Sequence, residues 1–319
     1  MKGNEYEDIA ASWNWNRIPG TTTDYDATPL NCQNTKNFGV ESFVGGLTDS
    51  KGVYGIGAMR YTNPVTKSMS WQKAWFLLPD GVQRIVVNRV SSKNSKAPVI
   101  SVLDQRLHSG QVSVFGQDNK QKAIPSTGSS PYPNAKAIWH GGVGYSLDDG
   151  AFTLNVETGS KTGDWSKIGT STQPPTTVDL FSAWLAHDPA NPSKPLSYTA
   201  FPGTDLQTFQ SKRATVVSKV QTIQNDKCVS AVYDQRTSQA VALVVFWESS
   251  CASVKLPGAL GIVKSDQALV LIINIATNTI TIADPSQALG TATVTVNGRA
   301  IAFTLPKGGL AGASVSKSL

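Results

Sequence analysis

No stretch of the chain keeps apolar residues at the helical spacing i, i+3, i+4, i+7 over several turns. Instead, short runs rich in Val, Ile, Thr, Tyr, Phe and Trp recur along its length, cut by Gly, Pro, Asn and Asp. Such runs alternate with a period of two and need neighbours to pair with, so the chain is predicted to be all-β, as sandwiches or barrels. Several of the cuts are hairpin turns by their chemistry. Asn297-Gly298, between Thr291–Val296 and Ala300–Leu305, supplies the two positive-φ positions of a two-residue hairpin loop. Pro79-Asp80-Gly81 joins Ser70–Leu78 to Val82–Val90, and Asp49–Gly52 divides residues 40–61 into two strands. Asp234–Gln239 separates Val229–Tyr233 from Ala240–Trp247, and Thr277-Asn278 separates Ala268–Ile275 from Thr279–Ala283. Val99–Leu107 and Gln111–Phe115 are expected to pair around His108-Ser109-Gly110.

Ala137–Tyr145, Phe152–Thr158, Leu180–His187 and Ser197–Phe201 read as further strands, and 117–136 and 160–175 as long polar loops, the second carrying Trp165. The stretch 203–214 is the one plausible helical turn and reads as a linker. Two domains are therefore expected, residues 1–214 and 215–319, with seven of the eight tryptophans in the first. Charge is evenly spread: 20 basic against 17 acidic residues up to 214 and 8 against 5 beyond it, +3 each. No basic patch points to nucleic acid. The longest apolar runs, Ala240–Trp247 and Ala268–Ile273, are too short to span a membrane. The first residues, M-K-G-N-E-Y-E-D, contain no apolar signal region.

The stretch most suggestive of chemistry is Trp13 to Tyr25, W-N-W-N-R-I-P-G-T-T-T-D-Y. Read as a short strand ending in a Pro19-Gly20 turn, it sends Trp13 and Trp15 to one face and Asn14 and Asn16 to the other. Indoles beside amides suit a sugar, by stacking and hydrogen bonding; buried core indoles are the other reading. Trp13, Trp15, Arg17 and Trp165 are the candidate carbohydrate-binding residues. Asn14, Asn16, Asp24 and the Tyr25 carbonyl all offer oxygen around one turn. With a single carboxylate among them they make at best a weak calcium site, and no other cofactor is expected. His108, His140 and His187 are far apart in sequence, no nucleophile motif surrounds them, and each is expected to be structural. Cys228 and Cys251 flank a predicted hairpin; a disulfide there is one reading and would imply an oxidising compartment.

The order of several short motifs resembles polysaccharide lyase family 8, the hyaluronate, chondroitin AC and xanthan lyases. They are Gly3-Asn4-Glu5-Tyr6, Trp13-Asn14-Trp15, Ile18-Pro19-Gly20-Thr21-Thr22, Phe43-Val44-Gly45-Gly46, Gly52-Val53-Tyr54-Gly55 and Lys73-Ala74-Trp75-Phe76. Gly163-Asp164-Trp165, Trp184-Leu185-Ala186-His187, Tyr198 with Pro202-Gly203, Ala283-Asp284-Pro285 and Ala311-Gly312-Ala313-Ser314-Val315 follow. The resemblance implies a central β-supersandwich like that of galactose mutarotase, then a small C-terminal β-sandwich. It implies an extracellular protein acting on an acidic polysaccharide, as a monomer, without nucleic acid or membrane. Members cleave a bond 4-linked to a uronic acid by β-elimination, using a tyrosine, histidine, arginine and asparagine of an N-terminal α/α toroid. A further Glu and Asn belong to an N-G-E-N-type motif. This sequence contains neither toroid nor N-G-E-N, so no catalytic residue is expected in this chain and the chain alone is expected to be inactive. Some members bind calcium with acidic residues at the positions of Asn14, Asn16 and Asp24 and with the residue at Tyr25; the two amides put that metal in doubt. The rival reading is a non-catalytic carbohydrate-binding or structural β-protein.

Overall fold

The computed structural model describes residues 9–29, 37–147, 152–236 and 240–319. It is all-β, and the chain falls into two compact units. One comprises residues 1–37 and 92–192, the other 38–91 and 193–319.

In the first unit, β1 (Thr22–Asp24), β6 (Val99–Leu107), β13 (Thr176–Ala186), β12 (Thr153–Gly163) and β9 (Gly128–Pro133) form an antiparallel five-stranded sheet in that spatial order. Beside it in the same unit, β11 (Val143–Ser146), β10 (Ala137–His140), β7 (Ser113–Phe115) and β8 (Gln121–Lys122) are consecutive neighbours. The expected Val99–Leu107/Gln111–Phe115 hairpin does not form. β6 pairs with β1 and β13 while β7 pairs with β10 and β8, so the chain leaves one sheet for the other at 108–112. β6 is buried along most of its length and takes a partner on each edge, as a central strand must. The single strand expected over 137–145 is instead a hairpin, turned by Gly141 and Gly142 at φ 53° and 83°. The polar segment 117–136 yields an edge strand, β9, whose Pro131 and Pro133 are tolerated because one side of an edge needs no amide hydrogen.

Register decides what each face of the five-stranded sheet carries. Glu157 lies opposite Ser182, Asn155 opposite Trp184 and Lys161 opposite Val178, and Ser182 lies opposite Gln105 on β6. With a side-chain period of two, Glu157, Lys161, Leu180, Ser182, Trp184 and Gln105 share one face. The turns of residues 10–20 sit on that face. Ile9 and Trp13 pack on Leu180, and Tyr25 packs on the Ile100, Val102 and Trp184 cluster. Gly163 lets them come close: a Cβ there would lie 1.9 Å from the Ala11 carbonyl oxygen.

In the second unit, β2 (Val44–Thr48), β3 (Gly55–Thr62), β4 (Met69–Leu77), β5 (Gln83–Ser92) and β14 (Leu196–Pro202) are consecutive neighbours. The helix α1 (Leu206–Lys219) follows. It is longer than the expected single turn: Asp205 caps its N-terminus by accepting from the Thr208 amide at 2.8 Å, and Phe209 and Val216 are buried. The rest is a two-sheet sandwich. β15 (Val220–Asn225), β16 (Val229–Asp234), β17 (Val241–Phe246), β20 (Leu269–Asn274), β21 (Thr279–Ala283) and β24 (Val315–Ser318) make a six-stranded sheet. β18 (Ser253–Lys255), β19 (Ile262–Ser265), β22 (Thr291–Val296) and β23 (Arg299–Thr304) make a four-stranded one. Val244, Phe246, Leu271, Ile282, Val294 and Phe303 belong to the core between them. The hairpins read from Asn297-Gly298 and Thr277-Asn278 are present as β22–β23 and β20–β21. Cys228 and Cys251 are joined as a disulfide, with Cα atoms 5.5 Å apart.

Residues 38–91 are bound to this sandwich by buried polar ties. Asn88 Nδ2 donates to Asn225 Oδ1 at 2.7 Å and to Ser230 Oγ at 3.0 Å, and Tyr54 OH donates to Asp234 Oδ2 at 3.3 Å. Phe43 packs on the fully buried Trp247, with ring centres 5.5 Å apart.

Candidate functional site

The turns over the first unit's sheet enclose a cleft of about 570 Å³. Its wall includes Trp13, Trp15, Arg17, Glu157, Lys161 and Ser182. Arg17 is the centre. Its guanidinium donates to Glu157 in a close ion pair and to Ser182 Oγ at 3.2 Å, and stacks 3.7 Å from the Trp184 ring and 5.3 Å from the Tyr25 ring. Glu157 also pairs closely with Lys161. Burial pushes the Glu157 carboxyl up, but hydrogen bonds from Lys161 and Arg17 and their charges outweigh it and hold the group below its ordinary range. Glu157 is thus a fixed anion that orders two cations, and Lys161, nearly half exposed, is the one turned to solvent.

Gln105 holds the loop in shape. Its Oε1 accepts from the Asn14 amide at 3.0 Å, and its Nε2 donates to the carbonyls of Asn14 and Arg17, both at 3.0 Å. Asn14 Nδ2 donates to Tyr25 OH at 2.8 Å while its Oδ1 accepts from the Asn16 amide at 3.1 Å.

The residues singled out from the sequence are only partly gathered. Residues 11–20 form turns, not a strand, so alternation does not apply there: Trp13 is buried at 8 % exposure and Trp15 stands out at 44 %. Trp13, Trp15 and Arg17 line the cleft; Trp165 is half-buried, donates to Thr176 Oγ1 at 3.3 Å and lies off the wall. Asp24 is buried on β1, on the face of the sheet that carries Ser101, whereas Asn14 bonds Gln105 and Tyr25 on the other. A hard cation wants six to eight oxygens. Here the Asn14 oxygen already accepts within the loop and Asp24 offers the single carboxylate on the opposite face, so the donor set does not fit calcium. Among the described residues no group of three or more His, Cys, Asp or Glu is arranged to hold a metal ion.

Sequence reasoning missed Glu157, Lys161, Gln105 and Ser182. The signal was available for two of them, since Glu157 and Lys161 are four apart within a strand and so share a face. The histidines are not all apart: the rings of His108 and His140 lie 5.5 Å from each other. His187 stands separately, its Nε2 2.9 Å from Ser101 Oγ.

Comparison with known proteins identifies the class. Residues 1–213 match the polysaccharide lyase family 8 super-sandwich domain, and residues 221–293 match the polysaccharide lyase family 8 C-terminal beta-sandwich domain. The chain belongs to polysaccharide lyase family 8. Among curated proteins it is similar to a chondroitinase-AC of Pedobacter heparinus, 28% identical over 252 residues that cover 76% of this chain and 33% of the relative. Among solved structures it superposes on a chondroitinase AC lyase with TM-score 0.81 and 22% identity, over 99% of this chain and 46% of that one. A Paenibacillus xanthan lyase gives 0.76 and 21%, over 93% and 28%, respectively. The Streptomyces coelicolor A3 chondroitin AC lyase gives 0.67 and 22%, over 92% and 36%. The chain therefore spans a third of the curated relative and less than half of each of these solved ones.

Proposed function

We propose that this chain is the β portion of a lyase that cleaves an acidic, uronate-containing polysaccharide by β-elimination, and that its Arg17 cleft contacts the sugar. The family membership of both its parts supports the reaction class. The observation that carries the binding role is the wall of the cleft: a fixed Arg17–Glu157 pair, the half-exposed Trp15 and the solvent-facing Lys161. An aromatic face stacks on a pyranose, and two cations, Arg17 and Lys161, around the one carboxylate of Glu157 leave a net positive charge that attracts a carboxylate or sulfate, so both features of an acidic sugar are matched.

Elimination requires a base for the C5 proton, neutralisation of the uronate and a proton for the leaving oxygen. In this reading those groups come from an N-terminal α/α toroid that is not part of this chain. Among the described residues no grouped acid–base set lines the cleft; Glu157 is held ionised by two cations and makes a poor base. Residues 1–214 would be the central domain and 215–319 the C-terminal one, in a monomeric extracellular protein. The Cys228–Cys251 disulfide supports an oxidising compartment. In this reading the reaction needs no calcium.

Incubating the pure chain with hyaluronan, chondroitin or xanthan should give no rise in the ultraviolet absorbance of unsaturated uronate. Steady turnover would place the catalytic groups within this chain and overturn the reading.

A further inference from the structure

Two histidines take no part in the cleft. His108 follows β6 and its amide still donates to the Asp179 carbonyl at 2.9 Å, so it is fixed at the end of the five-stranded sheet. His140 ends β10, just before the Gly141-Gly142 turn. The ring centres lie 5.5 Å apart with the planes tilted by 49°.

Each ring is held through Nδ1. That of His108 is 3.0 Å from Asp179 Oδ2, and that of His140 is 3.3 Å from the Gln111 carbonyl oxygen. Both partners are acceptors, which favours the proton on Nδ1 and the lone pair on Nε2 in the neutral ring; the Leu107 carbonyl is a second backbone acceptor beside His140. For His140, 2 % exposed and stacked 4.3 Å from Phe181, that Nε2 is buried without a hydrogen-bond partner. An unsatisfied buried acceptor carries a cost and calls for a ligand. A carboxylate or carbonyl at the remote nitrogen is also how metal-binding imidazoles are oriented. Two imidazoles sharing a cation at about 2.0–2.1 Å would have ring centres about 5 Å apart, against the 5.5 Å observed. Arg106, whose positive charge is felt at His140, is itself paired: its Nη2 lies 2.7 Å from Asp104 Oδ2 and its Nη1 donates to the Gly141 carbonyl at 3.0 Å.

We propose that His108 and His140 form a two-imidazole site for a borderline divalent transition cation of the Zn2+, Ni2+ or Cu2+ class, bound through both Nε2 atoms with water completing its shell. Imidazole suits these ions, as it does not suit calcium. Two protein ligands make an exchangeable site, and its effect would be to clamp the β10–β11 hairpin to the end of β6.

The test is calorimetric titration of the metal-stripped whole chain with Zn2+, with electron paramagnetic resonance of the Cu2+ form alongside. One Zn2+ per chain is expected, with coupling to two nitrogens in the Cu2+ spectrum. His108→Ala, at a partly exposed position, should keep the fold and weaken binding at least tenfold; His108→Gln serves if the alanine variant unfolds. No binding at millimolar Zn2+, or binding by the folded His108 variant within twofold of the wild type, would overturn the proposal.

Discussion

Arg17 and Glu157 are each about 15 % exposed, and each is anchored by more than the other. Removing one therefore strands the second. Arg17→Ala leaves the Glu157 carboxylate with Lys161 alone and exposes the Trp184 face, so a loss of about 2–4 kcal/mol is expected in denaturant unfolding. Lys73 is the opposite case, a lysine fully buried on β4, with its ammonium 5.1 Å from the Trp71 ring and 5.7 Å from the Trp75 ring. The indoles favour the charged form, but loss of hydration dominates and brings the group down to about 7. The unfolded chain then binds this proton up to about pH 10.4, and the native chain only below about 7. Stability from this group consequently rises with pH across that window. Thermal unfolding at pH 7 and pH 10 should show Lys73→Met gaining on the wild type as the pH falls; an equal difference at both would refute a neutral buried lysine. Neither residue's role was legible in the sequence, where Lys73 looks like any lysine in a strand and Glu157 acquires its two cations only when β12 and the 10–20 turns meet.

Elements closed by local chemistry were legible, because a turn dipeptide and two flanking apolar runs contain all the information a hairpin needs. Asn297-Gly298 and Thr277-Asn278 are of this kind, and their strands pair as expected. The failed hairpin at His108-Ser109-Gly110 shows the limit: β6 pairs with β1 and β13, far away in sequence, and no local signal reports that. The 10–20 turns were misread as a strand because alternating Trp and Asn mimic a period of two, while tertiary contacts with Gln105 decide the backbone. Gly163 tests how closely those turns lie on β12. Gly163→Ala puts a methyl 1.9 Å from the Ala11 oxygen and should cost about 2–3 kcal/mol. Gly169→Ala, with nothing within 4 Å, should change unfolding little; equal effects would mean the turns do not rest on the strand.

At the scale of the molecule, sequence division and structural compactness differ. The family matches divide the chain between 213 and 221, yet residues 38–91 pack in one unit with 193–319, through ties such as Asn88–Asn225 and Phe43–Trp247. Composition could not foretell this, because the joining groups are single side chains, polar and aromatic, on otherwise ordinary strands. The central claim, an acidic-sugar cleft at Arg17, rests within the first unit and is tested most directly by calorimetric titration of an acidic oligosaccharide such as a chondroitin fragment. The expected result is saturable binding that weakens with salt and falls about tenfold, or 1.4 kcal/mol, in both Trp15→Ala and Lys161→Ala. Unchanged affinity in both folded variants would contradict the account.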